Sequence, residues 1–97
     1  MNKIGYWKIK GVSKFQEEIN NLKIGQKLKL VVAPNDYNKF GIDIKTEEDI
    51  KIGEVDSAYS EAQLNFLLKG KKYEISVERI YPVPTLNIKG VIIKVEG

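Results

Sequence analysis

Lys27-Leu28-Lys29-Leu30-Val31-Val32-Ala33-Pro34-Asn35-Asp36-Tyr37-Asn38-Lys39-Phe40-Gly41-Ile42-Asp43-Ile44-Lys45 is the stretch that decides the fold. Leu28, Leu30 and Val32 alternate with Lys27 and Lys29, and Ile42 and Ile44 alternate with Asp43 and Lys45. Alternation at every second residue is the pattern of strands with one buried face. Pro34 ends the first run, because proline has no N–H to give to a ladder. From Pro34 to Gly41 the residues mostly bond their own backbone or accept left-handed geometry, which predicts a structured loop between the strands.

The same periodicity continues outward. Ile50-Lys51-Ile52 pairs with Ile42-Asp43-Ile44-Lys45 as a hairpin whose turn, Thr46-Glu47-Glu48-Asp49, holds its charges in water. Gly53-Glu54-Val55 closes that strand. From Ser57 to Leu68 the period changes: Ala58, Ala62, Leu64, Leu67 and Leu68 group by three and four, Ser57 or Ser60 can cap, and Gly70 stops the run. That is a helix, the one long helix of the chain. Tyr73, Ile75 and Val77 then alternate with Glu74, Ser76 and Glu78, and a last strand lies within Leu86 to Val95, the two flanking Tyr81-Pro82-Val83-Pro84. Toward the N-terminus, Tyr6 to Val12 sets Trp7, Ile9 and Gly11 against Lys8 and Lys10 as a first strand. Phe15, Ile19 and Leu22 follow at helical spacing, a short helix that must end before Gly25.

The expected architecture is one domain over residues 1–97, mainly β within the α+β class. About six short strands and Gly/Pro turns make a small, partly open six-stranded barrel of the OB or SH3-like kind, with one long and one short helix. Trp7, Leu30, Ile42, Ile44, Ile52, Leu64, Leu67, Val77 and Ile92 occupy the apolar phase of their segments and are the expected core.

Composition removes much chemistry. The 97 residues contain neither cysteine nor histidine, which excludes disulfides, the usual zinc sites and histidine-based triads. Adjacent acids such as Glu17 and Glu18 are expected in solvated turns rather than at acid-base work. Asp36, Asn38, Gly41 and Glu47 mimic the spacing of a calcium loop, but Phe40 stands where an oxygen ligand is needed and strands, not helices, flank it. Lys69-Gly70-Lys71-Lys72 lacks a phosphate-loop context and suits the negative end of the preceding helix. No catalysis, cofactor or metal is expected. Met1 to Lys10 lacks the apolar run of a signal peptide, and no stretch approaches the roughly 18 apolar residues of a membrane helix. The expectation is a soluble, cytoplasmic protein with no membrane partner.

The net charge of +3 is unevenly spread. Residues 1–30 set seven lysines against two glutamates, residues 31–66 set three lysines against eight acids, and the remainder sets six bases against three acids. If the chain ends lie side by side they make one basic surface able to steer a polyanion.

The order of segments from Lys10 to Gly70 resembles the HIRAN domain. The opening strand ends in Gly11-Val12, Gly25 precedes Leu28-Lys29-Leu30-Val31, and Asn35-Asp36-Tyr37-Asn38 stands where the family has an Asn-Pro-Tyr-Asp loop. Ile52-Gly53-Glu54-Val55 and the helix ending near Gly70 match the family's later strand and helix. The resemblance implies binding of single-stranded DNA at its free 3′ end, in DNA repair, by a module with no activity of its own. Carried over by position, Asn35, Tyr37 and Asn38 line the site, with Asn38 replacing the family's acid at the terminal hydroxyl. Lys14 and Phe15 follow the first strand, Lys14 as a phosphate partner. An alternative role is a protein-interaction module that recruits a helicase or nuclease.

Overall fold

The computed structural model describes residues 4–34, 36, 39, 41–56 and 73–96. The alternating runs fold as β1 (Ile4–Lys8), β2 (Lys27–Val32), β3 (Ile42–Thr46), β4 (Lys51–Glu54), β5 (Glu74–Val83) and β6 (Ile88–Glu96). A 3-10 turn (Val12–Lys14) and a short helix α1 (Gln16–Asn20) lie between β1 and β2. All six strands form one antiparallel sheet in the order β1-β6-β5-β2-β3-β4. The expected long helix from Ser57 to Leu68, with Leu64 and Leu67, falls outside the described residues.

The sheet curls until its edges touch at one point. Lys10 and Glu54 exchange two backbone hydrogen bonds, each amide donating to the other carbonyl at 2.9 Å. Among the described residues β1 and β4 pair nowhere else, so the barrel is partly open, held by a single clasp. Close approach at the clasp requires Gly53: a Cβ there would lie 2.8 Å from the Lys10 carbonyl oxygen.

The core is built from one face of each strand. Ile42, Ile44, Ile52 and Val77 are buried, joined by Ile9, Leu28, Val55, Ile75, Val91, Ile93 and Val95, while Trp7 and Leu30 pack against them half-buried. Ile19 and Leu22 bury their side chains from the α1 segment, which packs on β4 and β6. Ile92 departs from expectation: Val91, Ile93 and Val95 take the inner phase of β6, and the period of two turns Ile92 outward, half-buried. In a continuous apolar run such as Val91-Ile92-Ile93 the phase is set by pairing, and Trp7 opposite Ile93 fixes it.

Two boundaries also differ. Tyr81, Pro82 and Val83 belong to β5, and the turn is at residues 84–87. Pro82 is tolerated because β5 pairs with β2 only at its start, through Ser76 and Ile75, leaving that side of Pro82 free of a ladder. Val12, expected at the end of the first strand, opens the 3-10 turn. Within β5 the register shifts between Val77 and Arg79, so Glu78 and Arg79 are both exposed and Ile80 returns to the core. The acidic turn behaves as expected. Glu47, Glu48 and Asp49 are exposed, and the buried Thr46 accepts the Ile50 amide on its hydroxyl at 3.2 Å. No helix of the described residues is long and apolar enough to cross a membrane.

Candidate nucleic-acid interface

The chain leaves β1 through Lys10 and Gly11 and turns at once into the 3-10 segment, where the Lys14 amide donates to the Gly11 carbonyl at 3.3 Å. This places Lys14 on the surface, where among the described residues it makes no ion pair. An unneutralised ammonium on a short turn is well suited to a phosphate. Phe15 is half-buried against the core, and the Lys51 ammonium sits 5.5 Å from its ring centroid. That ammonium is also 3.1 Å from Asp43 and 3.0 Å from Glu54. Burial alone would lower the Lys51 pKa, but the hydrogen bonds and charges of Glu54 and Asp43 outweigh it and hold the group above its ordinary 10.5. One face of Phe15 is thus occupied by a neutralised cation.

The loop carrying Asn35, Tyr37 and Asn38 is anchored at its neck. The Ala33 amide donates to the Gly41 carbonyl at 2.8 Å, and the Val55 amide donates to the Ile42 carbonyl at 3.0 Å. Glu54, next to Val55, is clasped to Lys10. The neck therefore lies two strand spacings, about 10 Å, from the Lys10-Gly11 exit that leads to Lys14. The barrel brings the neck of this loop and the Lys10-Gly11 exit to the same end. Asn35, Tyr37 and Asn38 themselves lie outside the described residues, while Pro34, Asp36 and Lys39 of the same loop are exposed.

Pairing also assembles a stripe that sequence reasoning missed. Tyr81 is paired with Gly90 across the β5–β6 hairpin, and its ring covers the glycine so closely that a Cβ there would collide with it. The Lys8 ammonium stands 5.6 Å from the Tyr81 ring centroid. Exposed Tyr6 is paired with Lys94, Lys8 with Ile92, and Ile92 with exposed Arg79, so two tyrosines and three cations share the outer face of β1, β6 and β5. The chain termini do lie side by side, since β1 pairs with β6. Aromatic faces between cations are the usual surface for single-stranded nucleic acid. A signal was present: folding the hairpin about residues 84–87 sets Tyr81 opposite Gly90, but a turn assumed at Tyr81 to Pro84 hides it.

No protein-family model matches the sequence, and no curated protein sequence matches it. Solved structures do. A crystal structure of the HIRAN domain of human HLTF superposes with a TM-score of 0.68 at 13% identity, covering 99% of this chain and 75% of that one. A crystal structure of a protein from Lactobacillus plantarum superposes with a TM-score of 0.70 at 13% identity, covering 99% and 98% of the two chains. Over nearly its whole length, then, this clasped six-stranded sheet has the fold of the HIRAN domain.

Proposed function

We propose that the chain is a non-catalytic module that binds nucleic acid, with single-stranded DNA carrying a free 3′ end as its ligand. The observation that carries the proposal is the HIRAN fold, whose strands bring the Lys14 turn and the neck of the Asn35 to Asn38 loop to one end of the barrel. In this proposal Tyr37 stacks a terminal base, Asn35 and Asn38 bond the sugar and the terminal hydroxyl, Lys14 takes a phosphate, and Phe15 offers an apolar edge. Asn38 accepts through its amide oxygen, a neutral bond weaker than the one a carboxylate makes. The Tyr6, Lys8 and Tyr81 stripe gives the rest of the strand a basic, aromatic path.

The test is fluorescence anisotropy with labelled oligonucleotides ending in a 3′-hydroxyl or a 3′-phosphate, titrated at several salt concentrations. Binding should weaken with salt, with a logarithmic slope of about −0.7 per phosphate neutralised, and the 3′-hydroxyl should be preferred. Binding that ignores salt, or no binding to either oligonucleotide, would rule the proposal out. In that case the second role, recruiting a helicase or nuclease, gains ground, and the open barrel edge described next favours it.

A further inference from the structure

The clasp fixes the phase of a strand edge that has no partner strand among the described residues. The Ile9 amide donates to the Val91 carbonyl at 3.1 Å, so Gly5, Trp7 and Ile9 bond toward β6, and Tyr6, Lys8 and Lys10 point their backbone groups the other way. Lys10 uses its pair on Glu54. Tyr6 and Lys8 present the same donor and acceptor pair to the gap beyond the clasp, where no strand among the described residues meets them. That gap is a cavity of about 490 Å³ running along β1 and floored by Trp7, Ile9, Ile44 and Val55.

We propose that this open edge of β1 binds an extended peptide, antiparallel to β1, with apolar side chains at alternate positions and acidic ones between. The backbone groups select the class of ligand, because an extended main chain is what repeats donor and acceptor pairs at every second residue. The pleat selects its pattern. Residues opposite Tyr6 and Lys8 face outward, where Lys8 favours a carboxylate, and residues opposite Trp7 face the apolar floor. Asp56 on the rim is paired with Lys10 at 3.6 Å and leaves Lys8 as the cation nearest the open ladder. A second copy of this chain is the poorer occupant, since β1 against β1 brings two copies of Lys8 together on one face.

The probe is a capped Val-Glu-Val-Glu-Val peptide added to the isotopically labelled full chain. It should shift the Tyr6 and Lys8 amide resonances and slow their hydrogen exchange. N-methylation of the first glutamate, which removes the donor facing the Lys8 carbonyl, should weaken binding about tenfold. Lysine in place of both glutamates should weaken it about threefold or more, and Lys8→Glu should reverse that order. Unchanged Tyr6 and Lys8 amides at millimolar peptide would overturn the proposal, as would equal binding of the N-methylated peptide. Protection that rises with protein concentration in the absence of peptide would assign the edge to self-pairing instead.

Discussion

Gly53→Ala should open the barrel, and the size of the effect follows from the clasp. The new Cβ would stand 2.8 Å from the Lys10 carbonyl oxygen and 3.0 Å from Ile9 Cδ1. Ordinary carbon-to-oxygen contacts lie at about 3.3 Å or more, so one group has to retreat by about half an ångström. The Ile9 methyl can move. The carbonyl cannot without loosening its bond from the Glu54 amide and, with it, the reciprocal bond from Lys10. Overpacking costs about 1–3 kcal/mol, and each weakened hydrogen bond up to about 1 kcal/mol, which together give about 2–4 kcal/mol. With an m-value of about 1–1.5 kcal/mol/M, the urea midpoint should fall by about 1.3–4 M.

Hydrogen exchange locates the loss: the Lys10 and Glu54 amides should lose protection first. Gly25→Ala is the control, because Gly25 sits at φ +85° with no neighbour within 4 Å and should cost about 1 kcal/mol of backbone strain alone. If Gly53→Ala is as stable as the parent and leaves both clasp amides protected, the contact does not hold the barrel and the reasoning fails.

The inward phase of the strands predicts that Ile44→Ala, fully buried, costs about 2–5 kcal/mol by urea denaturation, while Ile92→Ala on the outer face costs about 1 kcal/mol or less. Tyr37→Ala should weaken oligonucleotide binding about tenfold or more at nearly constant stability, as expected for the loss of one stacked base. Asn38→Asp should raise the preference for a 3′-hydroxyl over a 3′-phosphate in the same anisotropy assay, through a stronger bond to one and repulsion of the other. Lys14→Ala should weaken binding to all sequences and reduce the salt slope by about 0.7. The Lys51 pKa is raised in the fold, so the stability it contributes is present below pH 10.5 and is lost as pH rises through the folded value. Urea midpoints measured above about pH 10.5 should therefore fall less in Lys51→Met than in the parent.

Much of the fold was legible because strands with one wet face write their period into the chain. Leu28 and Ile42-Asp43-Ile44 alternate, the acidic turn after Thr46 is exposed, and each run became the strand or turn its pattern predicted. Where local chemistry was ambiguous the prediction slipped. Val91-Ile92-Ile93 is apolar at every position, so nothing local says which residue faces inward, and Pro82 and Pro84 both announce a turn although only the second lies in one.

For the candidate site, the sequence determined the residue types: Asn35, Tyr37 and Asn38 between two strand patterns, Lys14 after the first, and no histidine or cysteine to do chemistry. Those follow from composition and local turn preference, which act over a few residues. Only the tertiary structure decided that Lys51 comes to lie on Phe15, that Tyr81 lies on Gly90 beneath Lys8, and that Lys10 closes on Glu54 while Tyr6 and Lys8 remain unpaired by any described strand. Each joins strands distant in sequence or depends on a bulge that re-phases one, and strand order and register are set by the packing of the whole core rather than by any local pattern.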